Sequence, residues 1–326
     1  MTKTVLIIGG GGMVGQKLAH RLATEGLDGS TDLAVTLYDM GFAEGGAPAA
    51  GRLIGNLADP GEAARLAAPR YDYVYHLAAI VSGQAETDFD LGWSVNMMAV
   101  WQLMEALRAE HMDSGGTYVP RVVFTSSIAV FGAPYPDKIG DEFLSAPQTS
   151  YGAQKAIGEL MVTDFSRKGF IDGMSLRLPT ICVRPGKANL AASSFFSGII
   201  REPLNGLEAR LPVPDTVRHW HASPRAAARF LTHAAELDTE LLEARRALSL
   251  PGVSCTVAEQ IDALRDIAGN NVVALIKPDP DAAVMKIVEG WPRNFDPARA
   301  IALGFQAESN FSEIVQTYID EDLTGR

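Results

Sequence analysis

Cysteine is scarce in this chain. The 326 residues hold two, Cys182 and Cys255, each among apolar neighbours, so neither a disulfide framework nor a metal-ligand spacing follows and both are expected to be inert core positions. Positive charge is short as well: 28 Lys and Arg face 39 Asp and Glu, a formal net charge of −11. Binding to a phosphate backbone needs a basic stripe, and its absence argues against a nucleic-acid partner. A small anionic substrate is compatible with this balance, because its site needs only a few local cations. No stretch approaches the ~18 unbroken apolar residues of a membrane span. The opening "MTKTVLIIGG" carries too brief an apolar run for a signal peptide and enters glycines instead of a cleavage site. A cytoplasmic protein with no membrane partner is expected. Repeats, low-complexity tracts and long linkers are also missing. What is present is ordinary globular composition, 47% hydrophobic and 21% charged.

The first half alternates strand-like and helix-like runs. "TVLIIGG", "LAVTLYD", "RLIGNLAD", "YDYVYHLAA" and "RVVFTSS" read as five strands, and helical spacing appears in "MVGQKLAHRLAT", 61–68, 89–110 and 150–168. Strict alternation with apolar strands predicts an α/β, doubly wound parallel sheet covered on both faces. "GMSLRLPTICV" reads as a sixth strand, after which the rhythm breaks. Helices "SPRAAARFLTHAAEL" and "TVAEQIDALRDIAG" then flank strands "RALSL" and "VVALIKP". The division expected is 1–175 for the sheet domain and 176–326 for a smaller lobe interleaved with the end of the sheet.

"IIGGGGMVG" sets Gly9, Gly12 and Gly15 three residues apart between the first strand and the first helix, with Met13 and Val14 opening that helix. A tight turn, close approach to a pyrophosphate and helix–strand packing each want a residue without Cβ. The phosphates then sit at the positive end of the helix. Asp39 ends the second strand, where a carboxylate accepts hydrogen bonds from both ribose hydroxyls and repels a 2′-phosphate. The expected cofactor is NAD, not NADP.

"TSYGAQK" places Tyr151 four residues before Lys155, behind Ser150 as the expected N-cap. Helical spacing sets the pair on one face, about 5–6 Å apart at Cβ. A phenol of pKa about 10 is a poor base at neutral pH, and a nearby ammonium lowers it by ~1–3 units. The pair is then a general acid–base group. Ser127, at the carboxyl end of the fifth strand, is placed to hold the substrate oxygen while Tyr151 moves the proton.

Together the glycine turn, Asp39, Asp59 in "NLAD", "HLAA", Asn96 in "SVNMM", "SSIAVFG" and "YGAQK" resemble the extended short-chain dehydrogenase/reductase superfamily of nucleotide-sugar epimerases and dehydratases. The resemblance implies a Rossmann-type fold and a catalytic triad of Ser127, Tyr151 and Lys155, with Lys155 also bonding the nicotinamide ribose. It places Asp59 facing the adenine and Leu77, Ala78, Ala79, Asn96 and Pro179 along the cofactor. Ser82, Ser127, Tyr151 and Thr180 go with the substrate. The chain departs from the dehydratase pattern, with Ser127-Ile128-Ala129 where those enzymes carry Thr-Asp-Glu, so dehydration is not expected. It departs from sugar epimerases at Ala129 and at Leu178-Pro179-Thr180.

Arg184, Lys187, Arg218, His219, His221 and Arg225 concentrate cations in two segments of an otherwise acidic chain. Arginine clamps a carboxylate through two hydrogen bonds, so Arg184, Arg218 and His221 are expected to touch an acidic substrate. The bland alternative pairs Arg218 or Arg225 with surface acids. Phe195 and Phe196 are expected in the core, and His20, His76, His111 and His233 show no partner pattern suggesting a metal. The pattern over nearly the whole chain, "RHWHASPR" included, is similar to the D-erythronate dehydrogenase branch of the superfamily. That implies NAD-dependent oxidation at C2 of a four-carbon sugar acid, and a homodimer built on the helices at 89–110 and 150–168. The rivals are a nucleotide-sugar 4-epimerase and, outside catalysis, a dinucleotide-sensing regulator, against which the intact triad counts.

Overall fold

The computed structural model describes residues 2–186 and 192–323. Seven strands form one parallel sheet: β1 (Lys3–Ile8), β2 (Leu33–Asp39), β3 (Gly51–Ile54), β4 (Tyr73–His76), β5 (Arg121–Ser127), β7 (Asp172–Leu178) and β11 (Ala247–Ser249). Their order is β11-β7-β5-β4-β1-β2-β3. The chain runs outward from β1 to β3 and then returns to place β4 on the other side of β1. That reversal opens a crevice at the carboxyl ends of β1 and β4, where doubly wound sheets bind ligands.

Burial on both faces explains the continuous apolar strands. Val5 and Ile7 of β1 point into one core with Leu18 and Leu22 of α1 (Met13–Glu25) and Phe230 and Leu231 of α8 (Pro224–Glu236). Leu6 and Ile8 point into the other, with Leu66 of α2 (Glu62–Ala67), Leu103 of α5 (Ala99–Asp113) and Val162 of α6 (Ser150–Arg167). A third core, away from the sheet, gathers Phe195, Phe196 and Ile199 of α7 (Ser194–Leu204), Leu264 of α9 (Val257–Ala268) and Ile314 of α13 (Phe311–Glu321). Cys182 and Cys255 belong to it as free thiols, and burial pushes both up to about 12.

Several elements differ from the sequence expectation. The run 172–183 is two strands. Pro179 offers no N–H to the ladder, so β7 ends at Leu178 and β8 (Thr180–Ile181) leaves the main sheet to pair with β10 (Arg218–Ala222). On its other side β10 pairs with β12 (Val253–Thr256). The span 89–110 holds α4 (Phe89–Trp93), a π-helical turn over Ser94–Met98 and then α5, preceded by α3 (Ser82–Thr87). "RLIGNLAD" is strand only to Ile54, and "VVALIKP" begins inside α10 (Asn270–Val273) before β13 (Ile276–Pro278) pairs with β9 (Ala209–Leu211). The N-cap of α6 is Thr149, whose side chain accepts from the Gly152 amide, while Ser150 is the first helical residue. The remaining elements are β6 (Ile139–Gly140) paired with β14 (Phe295–Asp296), α11 (Ala282–Glu289) and α12 (Ala298–Ala302). No described helix is long and apolar enough to cross a membrane.

Candidate active site

The turn between β1 and α1 is glycine for three different reasons. Gly9 has φ +90°, and a Cβ there would lie 2.6 Å from the Ala78 amide nitrogen. Gly15 sits where a side chain would collide with the Gly9 carbonyl. Gly12 has no such neighbour, its nearest atom being the Gly9 carbonyl oxygen at 3.5 Å from a built Cβ. Its open side faces a cavity of about 430 Å³. It is also the N-cap of α1 and supplies no side chain to the first-turn amides, which suits an anionic group. Asp39 closes over the same turn, its carboxylate accepting from the Gly11 amide at 2.9 Å and the Met40 amide at 2.7 Å. The local residues therefore fit a dinucleotide: a glycine turn with room before the first-turn amides of α1, beside a carboxylate suited to a ribose.

The same cavity is lined by Gly9, Gly12, Met13, Val14, Gly15, Leu77, Ala79, Ser82, Ser127, Tyr151, Lys155, Pro179, Thr180 and Arg184. The fold thus brings the glycine turn, the Tyr–Lys pair and the Ser127 strand end together. Ala78 stands just behind the wall, its amide donating to the Ile8 carbonyl at 3.0 Å. Asn96 is buried behind the loop after β4. Its amide oxygen accepts from the Ile80 amide at 2.7 Å, and its Nδ2 donates to the Ile80 carbonyl at 3.0 Å and to Gln154 at 2.8 Å. It holds the wall's shape from behind, and the π-helical turn is what points it there. Asp59 is exposed in the turn after β3, bonded by Asn56 at 3.0 Å and outside the cavity wall.

Lys155 is 2% exposed and donates to the Thr125 carbonyl at 2.8 Å. Its Nζ lies 4.8 Å from the Phe124 ring centroid and 5.8 Å from that of Tyr151. Burial pushes it down to about 7, opposed by the carboxylate of Glu159. Burial pushes the Tyr151 phenol up, opposed by a hydrogen bond with Ser127 and by the charge of Arg184. The Lys155 ammonium, held by a backbone carbonyl, lies on the Tyr151 ring side of the site, and Arg184 is a second cation whose charge favours the ionised phenol.

The cations sort by position. Arg184 reaches the cavity, with Nε donating to the Ile181 carbonyl at 3.0 Å and Nη2 to Ser193 at 3.1 Å. Arg218 does not: it pairs with Glu259 at 3.1 Å and donates to the Ser254 carbonyl at 3.0 Å, outside the wall. His221 does not either. It is fully buried with Nε2 2.9 Å from the Gln260 amide nitrogen, and burial, with the Arg184 charge nearby, holds it neutral. Arg225 is a surface partner of Glu321 at 2.5 Å. Lys187 lies outside the described residues.

Residues that sequence reasoning missed complete the site. Glu159 accepts from Ser126 at 2.6 Å and from Arg177 at 2.8 and 2.7 Å, a buried network one helical turn beyond Lys155. The i, i+4 spacing from Lys155 was the available signal. Arg201, 5% exposed, lines the cavity while donating to the Arg184 carbonyl at 2.7 Å. Phe131 and Trp291 also line it with no local pattern to mark them, as does His219, which the cation cluster named without assigning it to the substrate.

Comparison with known proteins agrees with this geometry. Residues 5–222 match the family described as NAD dependent epimerase/dehydratase. The chain is 46% identical over 323 residues to D-erythronate dehydrogenase of Cupriavidus necator, spanning 97% of this chain and 98% of that one. It is 39% identical over 319 residues to the Haemophilus influenzae protein of the same name, spanning 98% and 99%. Among solved structures, one described as a nucleoside-diphosphate-sugar epimerase from Agrobacterium tumefaciens superposes with a TM-score of 0.94 at 52% identity, covering 99% of this chain and 95% of that one. The chain belongs to the NAD-dependent epimerase/dehydratase family and is an NAD-dependent oxidoreductase.

Proposed function

We propose that the chain oxidises the C2 hydroxyl of a small sugar acid, D-erythronate to 2-oxo-D-erythronate, with Tyr151 as general base. One observation carries this reading: Arg184 lines the same cavity as Tyr151 and Ser127, a cation beside the candidate base. In a 2-hydroxy acid the carboxylate is one bond from the reacting carbon. A cation gripping it must therefore stand beside the base. A neutral nucleotide hexose reacting at C4 has no carboxylate to place there.

In this reading Gly12, Met13 and Val14 hold the pyrophosphate at the α1 N-terminus, Asp39 the adenosine ribose and Lys155 the nicotinamide ribose. When bound, NAD supplies the hydride acceptor. Ser127 donates to or accepts from the C2 oxygen and fixes its distance from Tyr151. Tyr151 takes the hydroxyl proton, helped by the Ser127 hydrogen bond and the Arg184 charge against the upward push of burial. Arg184 binds the carboxylate through two hydrogen bonds. Segment 1–175 mainly holds the dinucleotide and 176–326 the substrate, Thr180 and Arg184 among it.

The competing enzyme reading is a nucleotide-sugar 4-epimerase. The two part in a single assay. NADH formation from D-erythronate, with none from other aldonates or UDP-sugars, supports the dehydrogenase. Interconversion of UDP-sugars without net NADH overturns it, and dinucleotide binding without turnover of any acid or sugar favours a sensor.

A further inference from the structure

The cavity wall contains a histidine with no assigned part in the reaction. His219 on β10 is 2% exposed and lines the cavity with Thr180, Trp291 and Pro292. Its ring is held on several sides. It stacks on Phe196 with centroids 5.3 Å apart and planes 3° apart, meets Trp291 at 5.1 Å, and takes the edge of His221 at 5.3 Å. A ring so packed keeps one orientation. Its Nε2 is 2.7 Å from the Thr180 hydroxyl. Its Nδ1 is buried beside the Pro292 carbonyl without a hydrogen bond of ordinary geometry.

Burial pushes His219 down to about 3, so the ring is neutral and carries one proton. Pro292 has no N–H, and a carbonyl only accepts, so the proton is assigned to Nδ1 from its surroundings. Nε2 is then an acceptor, and the Thr180 hydroxyl donates to it. The Thr180 oxygen is left with lone pairs for the cavity and no proton. Such a group welcomes a hydroxyl and repels a second carboxylate or a carbonyl.

We propose that His219 is a positioning residue that fixes Thr180 as a hydrogen-bond acceptor, and that Thr180 selects polyhydroxylated acids by binding a hydroxyl beyond the reacting carbon. This rests on the sugar-acid reading above and adds its second polar contact: Arg184 takes the carboxylate, and Thr180 a neutral hydroxyl. A site that must fill a buried hydrogen-bonding group discriminates strongly against an analogue lacking the partner.

The test compares D-erythronate with 2-hydroxybutanoate, which keeps the carboxylate and reacting hydroxyl but lacks the others, followed as substrate or as competitive inhibitor. Thr180→Val and His219→Phe are each expected to weaken D-erythronate about 10- to 100-fold, mainly in KM, and to change 2-hydroxybutanoate by less than about 3-fold. Phe keeps the aromatic stack, so His219→Phe separates packing from hydrogen bonding. Thr180→Ser and His219→Gln, which retain the bond, are expected to recover most of the loss. Titration with NADH reports folding in every variant, and Thr180→Val carries the test if His219→Phe does not fold. Equal losses on both acids, or no loss on D-erythronate, overturn the proposal. Failure of the wild type to oxidise D-erythronate overturns the sugar-acid reading itself, and this inference with it.

Discussion

Replacing Lys155 with methionine should make the protein more stable while removing its activity. The lysine is fully enclosed, and burial holds its pKa at about 7, against 10.5 for the free side chain. Its folded-state pKa is depressed, so between about pH 7 and 10.5 the unfolded chain binds a proton that the folded chain has released. Stability therefore rises with pH between about 7 and 10.5 and is lowest below that window. At 1.36 kcal/mol per unit, the penalty is roughly 5 kcal/mol at pH 6 and roughly 1 kcal/mol at pH 9.5. Methionine fills the same channel without a charge. It gives up one hydrogen bond to the Thr125 carbonyl, a net loss of about 1 kcal/mol. Denaturant unfolding of the cofactor-free protein should then show the variant more stable by about 4 kcal/mol at pH 6 and nearly equal to wild type at pH 9.5. Activity should fall below detection at both. A variant no more stable at pH 6, or an advantage independent of pH, would refute the argument that a desolvated ammonium is held here for function at the expense of stability.

Tyr151→Phe should lose most turnover, by a factor of about 100 or more, with NAD affinity by titration unchanged. Gly12→Ala should fold normally, since no protein atom crowds a Cβ there, but bind NAD at least about tenfold more weakly because the methyl occupies the approach to the pyrophosphate. Arg184→Met should raise the KM for D-erythronate about 10- to 100-fold through loss of the carboxylate clamp, whereas Arg218→Ala, already paired with Glu259, should stay within about twofold. Leu160 of α6 is 71% exposed, Met98 just before α5 and Trp101 within it are exposed too, and Trp101 packs edge-on to Phe165 of α6. If these helices pair two copies of the chain, Leu160→Glu should convert a dimer to a monomer in light scattering without abolishing NAD binding.

What can be read from the sequence alone follows one rule: local chemistry was legible wherever a backbone motif demanded it. The glycine spacing at 9, 12 and 15 states a turn, a close approach and a packing contact within seven residues. The Tyr151–Lys155 spacing is a property of any helix, and Ser127 declares itself by ending a run of β-branched and apolar residues. These features point to a candidate dinucleotide turn and a candidate acid–base pair, and the fold sets both on one cavity. The boundaries that failed did so where a single residue overruled the average, as Pro179 did by splitting a strand and Thr149 by taking the cap from Ser150.

The sorting of the cations was not legible, nor was the electrostatic setting of the pair. Arg184 and Arg218 are equivalent as letters. One faces the cavity and the other is consumed by Glu259 on a later helix, a choice made by contacts distant along the chain. His221 looks like a charge until full burial removes its proton. The Tyr151–Lys155 spacing likewise predicts one turn of separation but not that the ammonium bonds the Thr125 carbonyl, nor that a guanidinium from the second lobe adds its charge near the phenol. Sequence determined which groups stand one helical turn or one tight bend apart, because covalent geometry fixes those distances. Tertiary structure decided which side chains share a dry cavity, because desolvation and long-range pairing depend on what the rest of the chain packs around them.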